Sequence, residues 1–319
     1  MARQKADQSS HIYGPVPSRR LGLSLGVDII PAKVCTLDCV YCQVGRTTEK
    51  TTERRDFLDI GIVLEELRAK LATGVQANYV TVGGAGEPTL HARLGDLIEG
   101  IRGLTTIPVA LLTNGTLLYR EDVRADCGRA DVVLPSLDAG DAAVFEAVNR
   151  PAPDISIEKL VSGMVQFRQE FRGQIWLEVF LIPAANMDSG QIEKIARLIE
   201  RIQPDRVDLN TAVRPVAEKE VAPASEASLA EIARRLGPTC EVISAAAATG
   251  SCDYQVQEAA PDVLSMLKRR PCSIEDICAG LGIPRNEAIK YVSLLQEAGA
   301  VSPERRGERV YFCFRPEAH

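Results

Sequence analysis

The chain has 319 residues, 45% hydrophobic and 25% charged, with a net charge of −6. That is the composition of a folded protein; it excludes extended disorder, collagen and coiled coil, and it lacks the basic surface that coating nucleic acid without sequence preference requires. At about 150 residues per domain, the length predicts roughly two domains.

From about residue 24 to 244, short apolar runs alternate with amphipathic stretches. The runs Ser24–Ile30, Asn78–Val82, Pro108–Leu112, Asp131–Pro135, Ile175–Leu181 and Arg206–Leu209 are rich in Val, Ile and Leu. They mostly lack polar alternation, so they predict strands buried on both faces. Between them, Ile62–Leu71, Leu94–Arg102, Ile157–Phe167 and Ile192–Ile202 carry helical spacing. Alternating β and α units imply a parallel sheet. Six such units, with a short further run at Glu241–Ser244, fit a partial barrel or an open doubly wound sheet. Either form puts its working site at the C-terminal strand ends.

The pattern then changes. Residues 245–258 read as a linker, opening on the small residues Ala245–Ser251. Beyond it, Asp262–Arg269, Ser273–Leu281 and Pro284–Ala298 predict three helices, with Ser273 as N-cap and Gly282 and Gly299 as stops. Ala300–Ser302 and Arg309–Phe314, joined through Arg305–Gly307, predict two strands. Three helices and a hairpin describe a winged helix-turn-helix over 259–319. Its nine Lys or Arg against eight Asp or Glu are too balanced for a confident DNA reader, although Arg305, Arg306 and Arg309 cluster in the wing. Nucleic acid, a peptide or protein, and a purely structural role all stay open for it. The layout is thus an N-terminal extension (1–22), an α/β core (23–244), a linker and the terminal module.

No apolar run approaches the roughly 20 residues of a membrane helix. The opening MARQKADQSSHIYG has no apolar signal core, so a cytoplasmic protein without a membrane partner is expected. In a reducing compartment the nine cysteines read as metal or redox chemistry, or as buried filler. Cys35, Cys39 and Cys42 lie in one loop after the first strand. Three thiolates hold three irons of a cubane and leave one corner open, as a catalytic site needs. A zinc knuckle fits this spacing poorly. Cys127, Cys240, Cys252, Cys272, Cys278 and Cys313 are scattered and read as free thiols, with Cys240 and Cys252 the pair nearest to an auxiliary-cluster arrangement. His11, His91 and His319 show no ligand spacing.

The Cys-x3-Cys-x2-Cys loop, with Tyr41 before its last cysteine, resembles the signature of the radical S-adenosylmethionine (SAM) superfamily. The resemblance implies a partial (β/α)6 barrel, here with the winged helix attached. It also implies a [4Fe–4S] cluster on Cys35, Cys39 and Cys42, with SAM on the open iron. Reductive cleavage of SAM then gives a 5′-deoxyadenosyl radical that abstracts hydrogen, with flavodoxin or ferredoxin as electron donor. Tyr41 is expected near the adenine. Gly83, Gly84, Gly86 and Glu87 follow the second strand and resemble the motif that meets the SAM ammonium group. Asn114, Ser136 and Asp138 stand at the third and fourth strand ends, where relatives contact the ribose or carboxylate; loop capping is the alternative. The backbone of Leu181-Ile182-Pro183 is a further adenine candidate.

The segment Tyr13–Gly26, with Pro17-Ser-Arg-Arg, and Cys39–Thr47 resemble the branch grouped with tRNA wyosine synthetases. No cysteine precedes Cys35, where those enzymes have a second set of ligands. Lys33 reads as a solvated loop lysine. Paired Arg19 and Arg20 suit a phosphate or carboxylate. With Asn210 (next to Thr211) and Arg214 they are the substrate candidates. tRNA modification is the leading expectation. Peptide or protein modification and a cluster-bearing DNA-binding redox regulator are the alternatives.

Overall fold

A computed structural model describes residues 10–243 and 259–315. The linker reading, Cys252 and His319 lie outside them.

An eight-stranded sheet organises the first part. In spatial order it holds β1 (Ile12–Ser18), β2 (Gly22–Val27), β5 (Tyr79–Val82), β6 (Val109–Leu112), β7 (Val132–Leu134), β8 (Gln174–Leu181), β9 (Arg206–Thr211) and β10 (Cys240–Val242). The short pair β3 (Val34–Cys35) and β4 (Glu49–Lys50) stands apart. β1 and β2 form an antiparallel hairpin, and every later pairing in the large sheet is parallel. Spatial order follows chain order without a reversal. A doubly wound sheet would reverse direction partway, so this core is a partial barrel.

The connecting helices are α1 (Ile60–Ala72), α2 (Leu94–Leu104), α3 (Glu121–Cys127), α4 (Ala142–Val148), α5 (Ile157–Glu170), α6 (Ser189–Ile202) and α7 (Glu226–Leu236). Side-chain caps start several of them: Asp59 for α1, Asp141 for α4, Ser156 for α5, Asp188 for α6 and Ser225 for α7. Their apolar faces pack on the sheet's outer side, where Val63, Leu67, Leu97, Ile98, Leu177 and Val179 are inaccessible to solvent. Full burial of each such side chain contributes roughly 1.5–3 kcal/mol. The inner side has its own small core at the barrel's base, made of Leu21, Ala110, Val132, Leu134 and Trp176.

Within the segment expected as an extension, Ile12–Ser18 contribute a strand to the sheet. Pro15 and Pro17 argue against a strand in the sequence. They are tolerated because β1 is an edge strand, hydrogen-bonded only to β2.

The last part contains α8 (Ala259–Arg269), α9 (Ile274–Leu281), α10 (Arg285–Glu297), β11 (Val301–Arg306) and β12 (Arg309–Phe314). Ser273 and Asp276 form a capping box on α9, and Gly282 ends that helix with a left-handed φ of 63°. β11 and β12 pair antiparallel around a tight turn at Gly307. Val263, Met266, Cys272, Ile277 and Leu281 form one core with Val16 of β1. This module therefore covers the edge of the sheet rather than standing apart from it. Among the described residues, no helix is long and apolar enough to cross a membrane.

Candidate active site

Cys35, Cys39 and Cys42 occupy the loop after β2, above the C-terminal strand ends. The loop is strapped down from two sides. Asp38 N donates to Asn149 O (3.0 Å), Val40 N to Val148 O (3.0 Å) and Ala152 N to Thr36 O (2.8 Å). From beyond β9, Ala217 N donates to Cys42 O (2.9 Å) and Glu218 N to Val40 O (3.0 Å). All three cysteines are unpaired and partly accessible.

Amide donors point at the sulfurs. Asn114 Nδ2 lies 3.5 Å from Cys35 Sγ, as does Leu37 N, and Asn149 Nδ2 lies 3.5 Å from Cys39 Sγ. Burial, and next the charge of Glu87, push the Cys35 thiol up to about 12. Burial and then Asp138 raise Cys39 well above the usual thiol range. A bound metal deprotonates such thiols outright, and N–H donors to the sulfurs are a lever by which a protein tunes an iron–sulfur cluster. Three thiols brought into one loop, with N–H donors aimed at two of the sulfurs, are a donor set that fits an iron–sulfur cluster, each sulfur on a different iron.

Tyr41 stacks on Phe180, with centroids 4.0 Å apart and planes 10° from parallel. Its hydroxyl donates to Asp138 Oδ2. The same carboxylate accepts from Asn149 Nδ2 (2.7 Å) and, through Oδ1, from Phe180 N (2.8 Å). Asp138 is 2% exposed, and burial raises its pKa to about 6. Expected as a ribose or carboxylate contact, Asp138 instead has both oxygens engaged in holding the aromatic pair. Asn149 and Asn186 complete this frame, and neither was singled out from the sequence. Asn186 Nδ2 donates to the carbonyls of Asp138 (2.8 Å) and Phe180 (2.7 Å).

Glu87 also departs from expectation. It is 3% exposed, and its carboxylate accepts from Thr89 N (3.1 Å), Thr89 Oγ1 (2.6 Å), Thr113 Oγ1 (2.6 Å) and Asn114 N (2.8 Å). It ties the glycine turn to the end of β6. Gly84 and Gly86 are required by what lies behind them. A Cβ on Gly84 would stand 2.4 Å from the Asp28 carboxylate, and one on Gly86 would stand 2.6 Å from Val34 O. Asp28 Oδ2 accepts from Ala85 N (3.1 Å), and Tyr13 donates to Gly83 O (2.9 Å).

Leu181 and Ile182 use their backbone atoms internally. Leu181 O accepts from Thr211 Oγ1 (2.8 Å), and Ile182 N donates to Asn186 Oδ1 (2.7 Å). Ser136 bridges to Glu178 on the neighbouring strand and is half-buried at the barrel's inner wall. Lys33 is half-buried, its Nζ donating to Arg46 O (3.0 Å). His91 is a core histidine bonded to Leu58 O (3.1 Å), and Cys127 and Cys272 are buried thiols.

Arg19 and Arg20 come from the β1–β2 turn and enter the barrel from its base. Arg19 Nη2 donates to Asn210 Oδ1 (3.1 Å), and Arg20 pairs with Glu178. Arg214 pairs with Asp276 of α9 at 3.1 Å. The substrate candidates thus gather below the aromatic pair, and Glu178 joins them.

A parallel partial barrel with three such cysteines over its strand ends defines a cluster-bearing enzyme. The chain belongs to the radical SAM superfamily, whose family model matches residues 29–199. Enzymes of that superfamily use a [4Fe–4S] cluster and SAM. A UPF0026 protein of Helicobacter pylori (strain J99) is 32% identical over 95% of this chain and 97% of its own length. A UPF0026 protein of Methanocaldococcus jannaschii is 41% identical over 66% of each chain. A Brachyspira hyodysenteriae protein named GTPase Obg is 32% identical over 93% of this chain, which spans only 44% of that protein. Among solved structures, a radical SAM methyltransferase from Sphaerobacter thermophilus matches with a TM-score of 0.49 at 18% identity, over 69% of this chain and 65% of its own. The strand order, not this likeness, makes the core a partial barrel.

Proposed function

We propose that this radical SAM enzyme acts on a macromolecular substrate in the cytoplasm, with a tRNA nucleoside as the favoured target. Cys35, Cys39 and Cys42 hold one [4Fe–4S] cluster, and a flavodoxin or ferredoxin reduces it. When bound, cluster and SAM supply reductive cleavage of SAM and abstraction of hydrogen from the substrate. Tyr41, held flat on Phe180 by Asp138, offers its face to the adenine. The backbone of Gly83–Gly86 meets the amino acid end of SAM, and Asn114 and Ser136 offer side chains at the strand ends.

The observation that carries the macromolecular reading is the seat of the terminal module. α9 packs on β1 at one edge of the sheet and reaches, through Asp276, to Arg214 beyond β9 near the other. We read the module as a winged helix set beside the way into the barrel. A small metabolite would need no such docking surface. The tRNA reading is supported by the Pro17-Ser-Arg-Arg segment and its resemblance to the wyosine branch.

The nucleoside profile of tRNA from cells with and without the gene tests this. A nucleoside lost or altered on deletion is the expected result; an unchanged profile overturns the tRNA reading.

One observation favours peptide or protein modification as the second reading. Arg269 and Arg270 of the module turn inward, toward Asp28 and Pro17 O, while α10 exposes Ile289 (44%) and Leu294 (50%). That surface is less basic than nucleic acid recognition calls for, and it counts equally against a DNA-binding redox regulator.

A further inference from the structure

We infer that the barrel interior, one side-chain layer below Phe180, contains a subsite for an anionic group of the substrate. It is formed by Arg19, Arg20, Arg214 and Arg270 and completed by the terminal module. The inference rests on the reading of this barrel as the reaction chamber, and it deepens that reading by naming the chemistry of the group bound: carboxylate or phosphate oxygens.

The position follows from the strand pleat. Trp176, Glu178 and Phe180 alternate onto the inner face of β8. Trp176 belongs to the apolar base and Phe180 to the aromatic pair under the cysteine loop. Glu178 lies between them. Leu21, 3% exposed in the apolar base, anchors the β1–β2 turn inside the barrel. Arg19 and Arg20, on that turn, are held half-buried, Arg19 by Asn210 and Arg20 by Glu178. Arg214 and Arg270 close in from the side, Arg270 donating to Pro17 O at 3.5 Å.

Charge does not balance in this layer. Arg20 pairs with Glu178, Arg206 with Asp208, and Arg214 with Asp276. Neither Arg19 nor Arg270 has a carboxylate ion pair among the described residues. Burial, then the neighbouring charge of Arg214, lowers Arg19 to about 10, so it remains a cation at neutral pH.

Hydrogen bonding does not balance either. Arg19 Nη1 and Arg214 Nε are buried and have no partner. The Arg214 side chain is only 9% exposed. Buried donors are nearly always satisfied, and an unpaired buried cation is costly. Two orphaned guanidinium donors with an excess of positive charge lack the same thing, a group that brings acceptor oxygens and negative charge together. The planar guanidinium fork matches carboxylate and phosphate oxygens. Glu178 does not oppose such a guest, because Arg20 already neutralises it.

Thermal unfolding of the anaerobically reconstituted protein tests this, with inorganic phosphate and, separately, acetate titrated at constant ionic strength. A ligand that binds only the folded state raises Tm with the logarithm of its concentration once that concentration exceeds Kd. We expect a rise of that logarithmic form with at least one anion. A rise with phosphate assigns the subsite to a phosphoryl group, and one with acetate to a carboxylate. Arg19→Gln and Arg214→Gln should abolish the rise, whereas Arg93→Gln on the outer surface should keep it. Arg19→Gln should also melt no lower than the unsubstituted protein without anion, since it removes an unpaired buried charge. If Arg214→Gln fails to fold for want of the Asp276 pair, Arg19→Gln alone decides. No such rise with either anion, or a rise that survives Arg19→Gln, overturns the subsite. Substrate-free release of 5′-deoxyadenosine by the same preparation reports on the cluster and SAM pocket alone. Release without an anion response therefore overturns the subsite and leaves the enzyme reading standing.

Discussion

Arg269 of α8 stacks on the ring of Tyr13 in β1, its guanidinium carbon 4.0 Å from the ring centroid. Both residues lead to the glycine turn. Tyr13 donates to Gly83 O, and Arg269 Nε lies 3.4 Å from Asp28 Oδ2, which accepts from Ala85 N. The terminal module thus touches, at one remove, the backbone assigned to SAM. Arg269→Ala leaves Asp28 buried without its cation, since both side chains are 11% exposed. The expected loss is about 3–5 kcal/mol in urea unfolding, with weaker SAM binding by calorimetry. Arg269→Lys should recover part of the stability, because it restores the charge without the planar stack.

Gly84→Ala places a methyl group 2.4 Å from the Asp28 carboxylate. Overpacking of this kind costs about 1–3 kcal/mol. The displaced carboxylate also releases Ala85 N. Calorimetry should show SAM affinity lowered on the order of tenfold, about 1.4 kcal/mol. Gly103→Ala, in α2, meets nothing within 4 Å; it should leave SAM affinity unchanged and stabilise the helix by about 0.5–1 kcal/mol.

Asp138 makes folding pH-dependent. Its folded pKa is raised to about 6 by burial, above the ordinary carboxylate value of 3.8. The folded state therefore holds this proton more tightly than the unfolded state. Its contribution to stability is full below about pH 4 and is lost as pH rises through about 6. Asp138→Asn should flatten that segment of the stability–pH curve, measured as denaturant midpoint between pH 4 and 7. A slope unchanged by the substitution assigns the titration to other groups.

Tyr41 contributes a ring and a hydroxyl, and two substitutions separate them. Tyr41→Phe keeps the stack on Phe180 and removes the donor to Asp138; SAM affinity should fall by no more than a few-fold. Tyr41→Leu removes the stack, which is worth roughly 0.5–1.5 kcal/mol beyond burial, and should weaken SAM binding further. Equal affinities for the two variants would deny the ring its part.

Much of this was legible in the sequence. Apolar runs located the parallel strands to within about three residues at each end, because strands buried on both faces leave an uninterrupted Val, Ile and Leu signal. The cysteine loop and the glycine turn were legible as local spacing. β1 was not, since Pro15 and Pro17 mask an edge strand. α3 and α4, at seven residues each, are too short to display a helical period. α7 did carry a signal, with Ser225 as a cap before Leu229, Ile232 and Leu236. Asn149 and Asn186 act across the fold, and an isolated asparagine has no local signature. Asp28 and Glu178 were detectable. A carboxylate inside a run such as Gly26-Val-Asp-Ile-Ile or Trp176-Leu-Glu-Val-Phe must be neutralised or bonded when that run is buried. Their partners Arg269 and Arg20 lie far away in the chain and emerge only in the folded molecule.

The central claim is that Cys35, Cys39 and Cys42 carry a cluster that cleaves SAM. Its most direct test is 5′-deoxyadenosine release from SAM by protein reconstituted with iron and sulfide under anaerobic conditions and reduced with dithionite. Release is expected from the unsubstituted protein and none from Cys39→Ala, which should lose its iron while keeping the packing of α9 on β1. Release that persists in Cys39→Ala, or a protein fully loaded with iron and sulfide that releases nothing, would contradict it.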